Sequence, residues 1–265
     1  MQEHWLQRTE LILGQENLKK LSNARITIVG LGGVGSYAAE SLVRMGIKHF
    51  QIIDFDIVNI TNINRQIIAL NSTLGMKKTE VMKARMLDIN PEADIIEYSD
   101  FLRKDISSSS ETIERIDILK KSDYIVDAID SIGPKMGMIK DLCSLNIPFI
   151  SVLGAGNRLN PELIKITSIW QTTGCPLAKR LKKLLRRNDV RKDFPVVFSA
   201  EKPIKDFFET PPEISSDINH DKVPVNSTDS IPKSVVGSIS YMPAIMGMMA
   251  ASWIVRTIIN ENRET

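Results

Sequence analysis

The chain has 265 residues, 43% of them hydrophobic, with 34 Lys and Arg against 32 Asp and Glu, a formal net charge of +2. That length and apolar content support one large α/β domain and exclude wholesale disorder. Near-neutral charge excludes nucleic-acid binding driven by overall charge, so any such surface has to come from local clustering.

Residues 5–21 read as a helical lead-in, with Leu11, Leu13 and Leu18 as packing candidates. Arg25-Ile-Thr-Ile-Val29 is β-branched and apolar, which suits a buried strand. Gly30, Gly32 and Gly35 then supply a tight turn, and residues 34–45 have the spacing of a helix that starts there. Strand, glycine turn and helix N-terminus make an anion site, because free N–H groups and the positive dipole end point above the turn. A Cβ there would hold a phosphate away from the backbone. A second strand over 49–53 ends at Asp54, whose carboxylate can accept hydrogen bonds from a ribose. The fold class expected is α/β: a Rossmann-like nucleotide-binding fold with a mainly parallel sheet.

Glycines plus an acid would equally suit a dinucleotide dehydrogenase. Asn62, Asn64, Arg65 and Gln66, close after Asp54, and then Lys78, favour ATP. An adenylating site holds three phosphates and neutralises charge on the α-phosphate and the departing pyrophosphate. Each taken alone, Arg65 and Lys78 also read as solvated surface charges. A helix is expected over 77–90, with Val81, Ala84, Arg85 and Ile89 at helical spacing and Pro91 closing it. Ile95-Ile96 is the next strand candidate, and 104–121, with its run of serines at 107–110, reads as a surface excursion.

Residues 123–130 read as a buried strand that delivers Asp130 to its C-terminal edge, where open α/β sheets bind ligands. Ser131 or Asp130 can cap the following helix, which runs to Leu145. The functional alternative is that the Asp130 carboxylate holds Mg²⁺ against nucleotide phosphates, while Asp127 is structural. Strands over 148–153 and 164–169 continue the sheet. Cys143 reads as a core residue. Cys175, at a helix start where a dipole can lower a thiol pKa, reads as structural in preference to catalytic.

Residues 177–192 carry Lys179, Arg180, Lys182, Lys183, Arg186, Arg187, Arg191 and Lys192 against the single acid Asp189. Leu177, Leu181, Leu184 and Leu185 line one helical face, leaving the basic side chains to the other. A solvated face rarely carries such one-signed charge, so RNA-backbone contact is the favoured reading. Residues 207–232, rich in Pro, Ser and Asp, read as a mobile loop. The last stretch, 241–259, is an apolar helix with Met242, Ile245, Met249, Trp253 and Ile254 placed to pack across the sheet or into a dimer interface. Over the longest apolar segment, 239–259, breaks at Ser240, Pro243, Gly247, Ser252 and Arg256 argue against a membrane span. With no secretory pattern at the start and two distant cysteines, a cytoplasmic protein is expected.

Gly30-Leu-Gly-Gly-Val-Gly-Ser36, Asp54-Phe-Asp56 and Thr61-Asn-Ile-Asn-Arg-Gln66 resemble the signature of the ubiquitin-activating-enzyme-like superfamily, whose members adenylate carboxylates. More narrowly, the chain resembles the bacterial tRNA threonylcarbamoyladenosine dehydratases. The matches that carry this are Arg8-Thr-Glu-Leu11, Asp127-Ala-Ile-Asp-Ser131, Gly154-Ala-Gly-Asn157, Pro176-Leu-Ala-Lys179 and Val197-Phe-Ser-Ala-Glu201. The likeness lapses mainly over 207–232. It implies an ATP-dependent enzyme that adenylates the free carboxylate of threonylcarbamoyladenosine in tRNA and cyclises it with loss of AMP. The alternative it leaves is activation of the C-terminus of a sulfur-carrier or ubiquitin-like protein.

The resemblance also implies a distribution of roles. Gly30, Gly32, Gly33, Gly35 and Ser36 would meet the phosphates, and Asp54, with Asp56 beside it, the ribose. Asn62, Arg65, Gln66 and Lys78 would steady the phosphates, with Arg65, Lys78 and Asp130 carrying catalysis and Asp130 holding Mg²⁺. Arg8 would reach the nucleotide of a neighbouring subunit in a homodimer. Lys179, Arg180, Lys182, Lys183, Arg186 and Arg187 would contact tRNA. A monovalent cation and a sulfur-transfer partner such as a cysteine desulfurase are left open. Zinc is not expected, because zinc-binding relatives use two Cys-x-x-Cys pairs and this chain has none. One adenylating domain over 1–265 is expected, with a nucleotide-binding half over 8–153 and a substrate-side half over 154–260.

Overall fold

The computed structural model describes residues 4–99, 116–204 and 236–259; the serine run and the 207–232 loop read from sequence lie outside them. The strands are β1 (Arg25–Val29), β2 (His49–Ile53), β3 (Asp94–Tyr98), β4 (Tyr124–Asp127), β5 (Phe149–Val152), β6 (Ile164–Ser168) and β7 (Pro195–Ser199). They form one seven-stranded sheet in the order β3-β2-β1-β4-β5-β7-β6. Every neighbouring pair is parallel except β6–β7. The α/β fold with a mainly parallel sheet is therefore as expected, and β6 continues that sheet as an antiparallel edge.

Because both faces are covered, the strands alternate between two apolar cores. Ile26, Ile28, Phe50, Ile52, Val126, Ile150, Val152 and Val197 enter one core. It is closed by α1 (Gln7–Asn23), α2 (Gly35–Arg44), α3 (Lys78–Ile89) and a C-terminal helix, numbered α6 below (Tyr241–Ile258). Val29, Ile53, Ile125, Phe149, Val196 and Phe198 enter the other, under α4 (Ile132–Leu145) and α5 (Pro176–Arg187). A polar group is embedded in this second face. Gln51 Nε2 donates to Thr27 Oγ1 (3.0 Å), Ser122 Oγ (3.1 Å) and the Ile118 carbonyl (3.2 Å), so its burial leaves that amide satisfied.

Three sequence expectations change. In α1 Leu13 and Leu18 pack against the core, but Leu11 is 75% exposed; the buried residue is Leu21. The buried positions of α3 are Lys78, Thr79, Met82 and Met86, while Ala84 is exposed, so the stripe read from Val81, Ala84, Arg85 and Ile89 is rotated. Arg85 instead reaches sideways, donating from Nε to Glu40 Oε2 at 2.7 Å and tying α3 to α2. Ser131 stands at the N-cap of α4 without a side-chain cap bond; its hydroxyl donates to Asp130 Oδ1 (3.1 Å).

The apolar C-terminal helix crosses the sheet face against α2. Its Gly247 is so close to the start of α2 that a Cβ would lie 2.3 Å from the Val34 carbonyl oxygen and 3.2 Å from Ala38 N. Backbone on both sides leaves no flexible group to yield. Gly247→Ala is therefore expected to destabilise the fold by about 1–3 kcal/mol, the range for overpacked cores. A lower urea midpoint with an unchanged denaturant slope would show it.

Candidate active site

Every parallel strand ends at the same edge of the sheet. β1 connects to β2 on one side, while its other neighbour is β4, so the order reverses between β1 and β4. A crevice at such a switch point is the ligand site of open α/β sheets. Gly30 N donates to the Ile53 carbonyl (2.8 Å) and Ala128 N to the Val29 carbonyl (2.9 Å), so the two turns leave the sheet side by side.

The glycines divide into two kinds. Gly30 has φ +91° and a Cβ on it would lie 2.8 Å from the Ala128 carbonyl oxygen. A Cβ on Gly35 would lie 1.7 Å from the Gly30 carbonyl oxygen, and one on Gly33 would lie 3.1 Å from the Arg65 carbonyl and from Pro243. These three are required by the protein's own packing. A Cβ on Gly32 would meet only Gln66 Nε2, at 3.8 Å. Gly32 is thus the open floor of the crevice. Ser36 is fully buried and donates its hydroxyl to the Gly32 carbonyl (2.7 Å), so its place in the site is through the turn it holds.

Asp54 is buried, with Oδ2 accepting from Leu31 N (2.5 Å) and Oδ1 from Asp56 N (2.8 Å). Burial pushes its carboxyl up, against the pull of the Lys78 charge and the Leu31 N–H. Lys78 is not a solvated surface charge: it is 5% exposed, and its Nζ donates to Asp56 Oδ2 at 2.8 Å. Because the Asp56 side chain is half-exposed, the pair contributes at most ~1 kcal/mol to stability. The 3-10 turn Ile60–Asn62 follows, with Asn62 Oδ1 accepting from Asn59 N (3.1 Å) to cap it. Arg65 folds back on this turn, donating from Nη1 to the Thr61 carbonyl (2.8 Å) and Asn64 Oδ1 (3.0 Å). Gln66 lies beneath, and its buried Oε1 has no hydrogen-bond partner.

Asp130 is exposed at the edge, where the sequence placed it, with Ser131 its hydroxyl donor. Asp127, three residues earlier, is enclosed and paired to Lys135 Nζ at 2.7 Å, a residue that sequence reading missed. Its signal was a lysine at helical spacing with Met138, Ile139 and Leu142, among the buried positions of α4. Arg158 was also missed. It is buried, donates to the Gly154, Gly156 and Glu201 carbonyls, and leaves Nη2 unpartnered.

The basic residues of α5 are not equivalent. Ala178, Leu181 and Leu185 are buried, and Lys179, Arg180, Lys183, Arg186 and Arg187 are exposed. Lys182 turns back, donating from Nζ to the Thr172 carbonyl (2.8 Å), and Arg186 lies 5.3 Å over the Trp170 ring. Arg8 is exposed on α1. Cys175 is buried beneath the start of α5, and burial pushes the half-buried Cys143 thiol up. Among the described residues no helix is long and apolar enough to cross a membrane.

A glycine floor at the switch point, flanked by a buried lysine and an exposed carboxylate, defines an α/β protein with an anion-accepting nucleotide cleft. The comparisons narrow that class: residues 6–265 match the ThiF family, and the chain belongs to it. It is 37% identical over 258 residues to the tRNA threonylcarbamoyladenosine dehydratase of Bacillus subtilis (strain 168), covering 97% of this chain and 96% of that one. Among solved structures it resembles E. coli tRNA N6-threonylcarbamoyladenosine dehydratase in complex with AMP, at TM-score 0.79 and 29% identity, covering 98% and 97% of the two chains. The same enzyme in complex with ATP superposes at TM-score 0.78 and 30% identity, covering 98% and 97%.

The glycine geometry yields a paired test. Gly35→Ala is expected to lower the thermal midpoint strongly, because its Cβ would fall inside the Gly30 carbonyl oxygen. Gly32→Ala, with free space at that position, should leave the midpoint nearly unchanged. Differential scanning calorimetry of the two variants beside the parent chain would decide.

Proposed function

We propose that this chain is an ATP-dependent dehydratase that adenylates the carboxylate of threonylcarbamoyladenosine in tRNA and closes it into a ring with loss of AMP. The observation that carries the reading is the open Gly32 floor between Asp130 and the Asp54–Asp56–Lys78 group, in a chain that matches the Bacillus subtilis dehydratase along nearly its whole length. A carboxylate is a poor electrophile. Attack of its oxygen on the α-phosphorus expels pyrophosphate and attaches AMP, which makes a good leaving group. The carbamoyl group of the same side chain then attacks the activated carbonyl and expels AMP, so the lost oxygen leaves on the nucleotide. Nucleophile and electrophile share one small substituent, which favours closure. No protein nucleophile is needed, in keeping with the buried Cys175, and no sulfur atom enters the balance.

The residues divide accordingly. The turn over Gly30–Ser36 would cradle the phosphates at the N-terminus of α2. Asp54 shapes that turn through Leu31 N, also accepts from Asp56 N, and with Asp56 would meet the ribose. Lys78 and Arg65, on unfolding from Asp56 and Thr61, would neutralise the developing phosphate charge, with Asn62 and Gln66 alongside. Mg²⁺ fits this donor set. Asp127 is taken by Lys135 and Asp130 is exposed, and no cluster of three metal-ligating side chains occurs among the described residues. Mg²⁺ is commonly held by one or two carboxylates plus substrate phosphates. Bound by Asp130, it would supply charge neutralisation at the phosphates.

Exposed Phe55, Ile57, Ile60 and Leu70, all in the β2–α3 connection, support a homodimer in which Arg8 reaches across to the partner's nucleotide. We take the chain as one adenylating domain acting in the cytoplasm. Lys179, Arg180, Lys183, Arg186 and Arg187 on the open face of α5 would hold the tRNA backbone, with Lys182 bracing that face from behind.

Mass analysis of tRNA nucleosides after incubation with the protein and ATP tests the reading directly; an unchanged modified adenosine would overturn it. Asp130→Ala is expected to abolish turnover with the fold intact, and normal turnover with unchanged magnesium dependence would remove the metal role. Reversal of Lys179, Arg180, Lys183 and Arg187 to Glu should weaken tRNA binding and flatten its salt dependence, since each lost phosphate contact removes about one unit of slope. ATP affinity should stay as it was. Titrations at several salt concentrations, with tRNA and ATP separately, measure both.

A further inference from the structure

The end of β4, the first turn of α4 and the middle of β5 meet at three side chains with no solvent exposure: Asp127, Lys135 and Ser151. Lys135 Nζ donates to Asp127 Oδ2 (2.7 Å) and to Ser151 Oγ (3.1 Å), and the Ser151 hydroxyl donates to Asp127 Oδ2 (2.6 Å). Their surroundings are apolar, with Met136, Met138, Ile139 and Leu142 on the same helix. Stability alone does not explain a buried ion pair, since well-packed apolar residues of similar volume commonly serve as well or better. The group has a geometric effect that apolar residues could not reproduce.

That effect is on the turn that carries Asp130. Ala128 is fixed from one side by its N–H on the Val29 carbonyl. Ile129 is fixed from below, its N–H donating to Asp127 Oδ1 (3.1 Å). Ser131 is fixed from the helix side, its carbonyl accepting from Lys135 N (3.1 Å). Asp130 stands between these three held residues with its side chain exposed. The same turn presses on the nucleotide loop, because a Cβ on Gly30 would lie 2.8 Å from the Ala128 carbonyl oxygen and one on Gly35 would lie 3.2 Å from the Ala128 Cβ. One buried hydrogen-bonded group thus sets the height of Asp130, while the back wall of the glycine turn is held separately by the Ala128–Val29 backbone bond. Burial pushes the Lys135 ammonium down from the usual lysine range, opposed first by Asp127 and then by Asp130, so both acids lie in its field.

We propose that Lys135 is a positioning residue for carboxylate activation: with Asp127 and Ser151 it holds the 128–130 turn in the shape that presents Asp130 to the nucleotide-bound cation. This rests on the reading of Asp130 as the cation ligand. Outer-shell partners of a ligand are worth about tenfold to a hundredfold in metal affinity when removed.

The test separates positioning from packing by removing both charges together. Lys135→Met alone leaves Asp127 buried and unpaired, and a loss of folding there would say little. The double variant Asp127→Asn, Lys135→Met leaves no orphan charge and keeps an acceptor for Ile129 N. It is expected to melt close to the parent chain, yet to bind Mn²⁺ about tenfold or more weakly in the presence of a non-hydrolysable ATP analogue, followed by electron paramagnetic resonance. Affinity for the analogue without metal should be unchanged. Unaltered Mn²⁺ affinity in a stably folded double variant overturns the proposal. If the double variant does not fold, Ser151→Ala decides, since it keeps the ion pair and removes only the bridging hydroxyl. Weaker Mn²⁺ binding at an unchanged melting temperature supports positioning, and unchanged binding overturns it. Asp130→Ala serves as the reference: if it binds Mn²⁺ with the analogue as tightly as the parent, the cation reading itself has failed, and the role of Lys135 falls with it. A drop for Asp130→Ala without one in the folded Lys135 variants refutes Lys135 alone.

Discussion

The constraint on which this molecule depends is the absence of room between two backbones. Where β1 and β4 end, the turn at Ala128 comes so close to the glycine turn that Gly30 could not carry a side chain, and the Gly30 carbonyl in turn leaves no room for one on Gly35. Parallel pairing of Val29 with Asp127 brings them there, and the bond from Ala128 N to the Val29 carbonyl keeps them there. The start of α2, the orientation of its free N–H groups and the location of Asp130 all follow from that contact. A crevice with a backbone floor and one acid at its rim needs little else to receive a phosphate chain.

Charge is sorted around this crevice by burial. Asp127 with Lys135, and Lys78 with Asp56, are held by partners within the chain. Such groups shape the cleft, because a buried polar atom must keep its partners or lose the free energy of its hydration. Asp130 and the outer basic residues of α5 remain exposed, and those are the ones able to meet a ligand. Lys78 sits at the boundary, with its stem buried and its ammonium leaning on a half-exposed acid that a phosphate could replace.

Much of this was legible in the sequence wherever the determinant is local. The strand at 49–53 was read to the residue, and the glycine turn, the helix behind it and the placement of Asp130 followed from spacing alone. What sequence could not give were the features decided by distant partners. The buried side of α3 is turned because Lys78 points inward to Asp56, from 22 residues away. Lys182 looked like one more surface charge until the Thr172 carbonyl captured it, and Leu11 looked like a core residue although nothing packs over it. Lys135 was passed over because a lysine inside a helix signals exposure unless a buried acid waits nearby, here Asp127 at the end of the preceding strand.

The last helix has a bearing on how the protein comes into being. Pro243 flanks Gly33, Gly247 touches the carbonyl at which α2 begins, and the Ser238 carbonyl accepts from Asn64 Nδ2 (3.0 Å). These contacts join residues about 200 positions apart, the kind of long-range closure that slows folding. On the ribosome the glycine turn emerges about 200 residues before the wall that steadies it. Until that helix is made and docks, a nascent chain carries the cleft unfinished, without the packing that holds the turn in place.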